Sequence, residues 1–95
     1  MLRIGPVTFV ALPGETFSST GRAVREIAGG PTIVCGWAND LVGYIPDETA
    51  LVRGGYEVET AHRYYGLPAP FSLAARDRLL GACRTLVERL DRGQQ

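Results

Sequence analysis

The chain contains no lysine. That absence excludes a phosphate-loop lysine and a Schiff-base lysine together. The stretch from Gly14 to Gly21 has the wrong spacing for a phosphate loop, and Arg22 stands where lysine is needed. Phe17-Ser18-Ser19-Thr20-Gly21 lacks the first glycine of a nucleophile elbow. Net charge is also missing. Ten arginines balance ten acids, so there is no electrostatic footprint for nucleic acid or an anionic membrane. The two cysteines, Cys35 and Cys83, form no Cys-x-x-Cys pair and no disulfide framework, and both read as buried small apolar residues. No apolar run approaches the ~20 residues of a membrane span. Val7–Leu12 follows Arg3 in the manner of a signal peptide, but it is short and is bounded by Gly5-Pro6 and Pro13-Gly14, so a strand is expected. There is no internal repeat and no low-complexity tract.

What is present is globular: 95 residues, 45% hydrophobic, 21% charged and rich in glycine. A single α/β domain over residues 1–93 with a frayed tail, 94–95, is expected. Leu2–Ile4 and Val7–Leu12 read as strands around a Gly5-Pro6 turn, the second apolar enough to be covered on both faces. Residues 16–28 read as a helix, with Phe17, Val24, Ile27 and Ala28 on one face, Thr16 or Ser18 as the cap, and Gly29-Gly30 as the stop. Gly21 inside that helix calls for a close helix–sheet contact. Thr32–Trp37 reads as a further strand. Strand, helix, strand is the unit of parallel sheets, so the core is a mixed or parallel sheet. A second helix, 73–91, carries the stripe Leu79, Leu80, Cys83, Leu86, Val87 and Leu90, is capped by Ser72, and places Glu88 and Arg92 as an i,i+4 pair. Both helices are expected to pack on the sheet. Between them, 39–71 is a long aromatic-rich loop region with one helical turn near 47–52 and a short strand over Tyr56–Glu59.

The parallel unit has a chemical consequence. The loops after its strands share one edge of the sheet, where open α/β sheets bind ligands. Glu15 follows the first long strand and Tyr44 follows the next, so both belong to one rim. Glu15 is either a helix-start acid beside the positive end of the helix or one member of a site. A neutral phenol is a poor metal ligand, but a nearby dication makes a phenolate accessible. Tyr56, twelve residues beyond Tyr44, is a second phenol that can donate to a developing oxyanion. His62, the only histidine, reads as a surface or core residue rather than a ligand.

These residues resemble the neutral ceramidase family. The resemblance runs in order through Leu12-Pro13-Gly14-Glu15, the Gly21-Arg22 helix, Asn39…Tyr44-Ile45, Gly55-Tyr56-Glu57 and Tyr65-Gly66. It corresponds to the C-terminal part of that family's catalytic domain. It implies a zinc-dependent amidohydrolase that cleaves N-acyl amides of the N-acylsphingosine type. Glu15 then matches the zinc glutamate, Tyr44 the zinc tyrosine, and Tyr56 the oxyanion tyrosine. The two zinc histidines of the family have no counterpart here. The resemblance therefore implies a chain that supplies part of a Zn2+ site, is inactive alone, and needs a complementary N-terminal part as partner. The rival expectation is a non-catalytic α/β binding or assembly module that keeps the fold and exposes an apolar edge or face.

Overall fold

A computed structural model describes residues 1–38 and 43–93. Asn39, part of the resemblance, and the tail 94–95 lie outside the described residues. Strands β1 (Leu2–Ile4) and β2 (Val7–Ala11) form an antiparallel hairpin. Strand β4 (Thr32–Cys35) pairs parallel with β2, so the sheet order is β1-β2-β4 and the sheet is mixed. Strands β3 (Glu15–Thr16) and β5 (Tyr44–Ile45) make a second, parallel pair. Helix α1 (Ser18–Ala28) connects β3 to β4, and α4 (Leu73–Gly93) packs beside α1. The expected α/β class, with helices laid on a sheet, is what the chain adopts.

Register explains the core. Residues opposite one another in a ladder point to the same face. Thr8, Val10 and their partners Thr32 and Val34 face the helices, and Leu12 continues that row. Val10, Leu12, Val24, Leu80 and Cys83 form the buried cluster, with Met1, Ile27, Val34 and Leu79 packed against it. Burial raises the Cys83 thiol pKa above its ordinary value. Arg3 ties the β1 edge to α4: its guanidinium donates to Asp91 at 2.8 Å and to Thr8 Oγ1 at 3.1 Å. Thr20 is fully buried on α1, and its hydroxyl accepts a hydrogen bond from Arg76 Nε at 3.0 Å, which joins α1 to α4.

The other face of the sheet is open. Leu2, Ile4, Val7, Phe9, Ala11, Ile33 and Cys35 share it by register. Leu2 is 57% exposed, Ile4 60% and Ile33 46%. Val7–Leu12 is thus covered on one face, not two. A near-continuous apolar run does not distinguish a doubly covered strand from one whose second apolar face is bare. Cys35 lies on that bare face and is exposed, contrary to the buried position expected for both cysteines.

Several boundaries and local states differ from expectation. Helix α1 begins at Ser18, with Phe17 as N-cap and no side-chain cap, because Glu15 and Thr16 are held in a strand. The strand expected over Thr32–Trp37 ends at Cys35. Residues 43–71 are not mainly loop. They hold β5, α2 (Glu48–Arg53), α3 (Tyr56–Glu59) and a 3-10 helix, Ala61–Tyr65. Tyr56–Glu59 is a helical turn, not a strand. Gly54 (φ 73°) and Gly55 (φ 108°) reverse the chain between α2 and α3 with a backbone that L side chains rarely adopt. Gly21 meets no sheet backbone; an added Cβ would first meet the Arg25 guanidinium at 3.7 Å. Glu88 and Arg92 do not pair, and the ion pair found among the described residues is Arg3–Asp91.

Asp47 organises the middle of the chain. As N-cap of α2 it accepts from Ala50 N at 2.7 Å and from the Ser19 hydroxyl of α1. The Ser19 hydrogen bond, then the Ala50 amide, then Arg76 and Arg22 hold its carboxyl pKa below the usual 3.8. A depressed carboxylate stabilises the fold above its unfolded pKa, and that contribution is lost as pH falls through the folded value. Asp47→Ala is therefore expected to cost about 1 kcal/mol near neutral pH. The gap to the parent should narrow as pH drops below 3.8, read from urea unfolding across a pH series. In the core, Leu80→Ala should cost about 2–5 kcal/mol, whereas Leu86→Ala, at a 39% exposed position of the same helix, should cost under about 1 kcal/mol in the same assay.

Candidate functional site

The β3–β5 ladder sets Glu15 directly opposite Tyr44. The pairing is anchored by Glu15 N–H donating to Gly43 O at 2.8 Å. Ile45 and Pro46 are buried behind it. Because side chains alternate along a strand, the buried Ile45 turns Tyr44 to the opposite face, and Glu15 with it. The loops beneath are stitched by Leu12 N to Cys35 O at 2.8 Å, Trp37 N to Gly14 O at 2.9 Å and Ala38 N to Leu12 O at 3.0 Å. The rim is thus a continuation of the β2–β4 pair.

Around Glu15 the phenols converge. Tyr65, at the end of the 3-10 helix, donates its hydroxyl hydrogen to Glu15 Oε2. The Glu15 carboxylate is also close enough to Tyr44, its partner in the ladder, for its charge to act on that phenol. The Tyr44 ring stands edge-on to Phe17 and to Tyr56, with centroids 6.3 Å apart in each case, a geometry in which ring edges meet ring faces. Tyr56 in turn lies 6.3 Å from Tyr64. Gly43 makes room for Tyr65: with φ 118°, its missing Cβ would sit 3.6 Å from the Tyr65 ring and 3.5 Å from Leu67.

The electrostatics follow from this crowding. Burial raises the Tyr44 pKa first, and the charges of Glu15 and Glu57 and the neighbouring Tyr56 raise it further. The hydrogen bond to Glu15 is the largest cause that pushes Tyr65 up to about 12. Both phenols are therefore held neutral beside one carboxylate, and Tyr65 donates to it.

The residues read from sequence are placed as follows. Glu15 and Tyr44 are brought together. Tyr56 joins them through its ring, at the start of α3. His62 is not part of the group; its Nδ1 is buried with no hydrogen-bond partner among the described residues. Glu15 is not a helix-start acid, since the first turn of α1 holds no acidic residue. Among the described residues, no three His, Cys, Asp or Glu side chains are grouped to hold a metal ion. The donor set at Glu15 is one carboxylate with phenols.

Sequence reasoning gave Tyr65, Trp37 and Arg25 no role. Tyr65 is 50 residues from Glu15 and only tertiary folding joins them. Trp37 has φ 53°, the one left-handed non-glycine among the described residues. Such strain persists only where surrounding bonds hold it, here the two hydrogen bonds to Gly14 and Leu12 carbonyls. The only advance signal was that Trp37 is the sole tryptophan and follows a glycine. A cleft of about 390 Å³ runs beside Glu15 and Tyr44, and Phe17, Val34, Trp37 and Arg25 help to line it.

A raised phenol pKa marks stability that is present below the unfolded value of 10.0 and lost as pH rises through the folded one. Glu15→Gln removes the charge and the strong acceptor, so Tyr65 should titrate closer to 10.0 than to 12. NMR of ring-labelled tyrosine across pH 9–13 (roughly the phenol range) reads this directly; an unchanged Tyr65 titration would show that Glu15 is not its cause. No family model, curated protein or solved structure matches the chain.

Proposed function

We propose that the chain is the C-terminal part of a zinc-dependent amidohydrolase of neutral ceramidase type, acting on N-acyl lipid amides and inactive by itself. The observation that supports this reading is the register of Glu15 opposite Tyr44 on one rim, with the Tyr56 ring edge-on to that of Tyr44. The donor chemistry fits half of such a site. Glu15 and Tyr44 supply two oxygen donors, whereas a catalytic zinc takes three or four protein ligands. The remaining donors come, in this reading, from a complementary N-terminal part.

Zinc, when bound, polarises an amide carbonyl and lowers the pKa of a water. The chain's own groups prepare for it. Tyr65 holds one oxygen of the Glu15 carboxylate and leaves the other for a further partner. Hydrogen bonds from outside groups orient metal-ligating carboxylates in this way. Tyr44 stays protonated until a dication is adjacent, so the phenol loses its proton only with the metal. Tyr56 is half exposed and free to donate to the oxygen of a tetrahedral adduct.

The open apolar face of the sheet favours a second reading, a non-catalytic α/β assembly module whose partner covers Leu2, Ile4 and Ile33. On either reading that face wants a cover. Zinc titration of the purified chain, followed by tyrosinate absorbance and by hydrolysis of an N-acyl amide, separates the readings. The partial-site reading expects weak zinc binding that Glu15→Gln and Tyr44→Phe each abolish, and no hydrolysis. Zinc binding indifferent to both substitutions would remove the donor assignment. Tight binding with turnover by the chain alone would remove the claim that the site is partial.

A further inference from the structure

The cleft beside Glu15 is lined by groups of opposite charge. Glu15 and Tyr44 belong to its lining. So does Arg25, an exposed residue on the second turn of α1. Arg25 folds back along its own helix over Gly21, where an added Cβ would sit 3.7 Å from Nη1. A glycine at this helical position costs about 1 kcal/mol relative to alanine. It also leaves open the space that the guanidinium lies against. Among the described residues the Arg25 guanidinium has no ion pair and no hydrogen bond. Arg25 and Glu15 therefore line one cleft without pairing with each other.

The rest of the lining is mixed: Phe17, Val34, Trp37 and the Tyr44 ring are apolar or aromatic, and Thr16 and Ser18 are polar. Among the described residues Glu15 is the only acidic one that lines the cleft. Trp37 is 64% exposed, has a left-handed backbone and is part of the cleft lining. A volume of about 390 Å³ is at the small end of ligand pockets, about 300–1,000 Å³. It suits a compact polar head rather than a long acyl chain.

An unpaired guanidinium facing a cleft is complementary to a planar anion, which it can bind through two parallel hydrogen bonds. The Glu15 carboxylate disfavours a second anion beside it and suits a neutral hydrogen-bonding group. We infer that the cleft takes an amide that carries its own carboxylate, an N-acyl amino acid. Its carboxylate sits on Arg25 and its amide lies toward Glu15 and Tyr44. The orientation of the amide rests on the amidohydrolase reading above and narrows it, from lipid amides in general to those with an anionic head. The carboxylate preference rests on Arg25, Gly21 and the cleft alone.

Trp37 is the sole tryptophan in the chain, so its fluorescence reports on this cleft directly. The test titrates the metal-free chain with N-octanoylglycine, with its neutral analogue N-octanoylethanolamine, and with octanoate. The expected result is a saturable change with N-octanoylglycine and binding roughly tenfold or more weaker for the neutral amide. Octanoate, which lacks the amide, should also bind more weakly than N-octanoylglycine. Arg25→Gln should erase the preference for the charged amide. Gly21→Leu, which fills the space beside the guanidinium and favours the helix, should do the same. Arg89→Gln, an exposed arginine on α4, should leave it intact. Circular dichroism checks that each variant keeps its helices. Equal affinity for the charged and neutral amides, no saturable change, or a full preference in both Arg25→Gln and Gly21→Leu overturns the proposal. Octanoate binding as tightly as N-octanoylglycine overturns its amide half. Zinc takes no part in this measurement, so failure here leaves the zinc donors untouched, and failure of zinc binding leaves the carboxylate preference measurable.

Discussion

The two-residue parallel ladder between Glu15 and Tyr44 is the constraint on which the rest of the site depends. One backbone hydrogen bond, Glu15 N to Gly43 O, sets the register. A shift by one residue would bury Tyr44 and expose Ile45, since side chains alternate along the strand. The buried Ile45 and Pro46 oppose that shift. Everything chemically notable then follows by proximity. Tyr65 finds Glu15, Tyr56 and Phe17 find the edges of the Tyr44 ring, and the cleft opens on the side that the ladder leaves free.

Much of this architecture was legible in the sequence because it is local or follows from handedness. An apolar run, a helix closed by glycine and another apolar run make a parallel unit, and a parallel unit places the loops after its strands on one edge. That is why Glu15 and Tyr44 could be put on one rim before any coordinates. The segment Tyr56–Glu59 was not legible. Four residues are too few for a helical period to show, and Val58 between two glutamates alternates as a strand would. The state was decided by the two left-handed glycines before it. Tyr65 was legible as a tyrosine but not as a partner of Glu15, because nothing local links residues 50 positions apart. The misjudged cover of Val7–Leu12 has another cause. Composition reports how apolar a strand is, not whether another layer is present to receive it.

The fold divides its labour between two faces. One face of the sheet holds α1 and α4 through a small core and a few polar ties, Arg3–Asp91 and Thr20–Arg76 among them. The opposite face carries no charge by register and leaves Leu2, Ile4 and Ile33 in contact with solvent. A mixed sheet with a parallel pair is usually layered on both sides. The free energy that a second layer would contribute is therefore still available to a partner, while the site on the rim is built on the separate β3–β5 pair.

The position of Cys35 on the open face, with Cys83 enclosed in the core, gives the molecule an internal gauge. An exposed thiol is within reach of a modifying reagent and an enclosed one is not, because attack needs both access and a thiolate. The relative labelling of the two sulfurs thus measures how far the bare sheet is covered at any moment. Coverage silences Cys35, while loss of the core would awaken Cys83. A single chain carries the indicator for its assembly and the indicator for its unfolding at separate addresses.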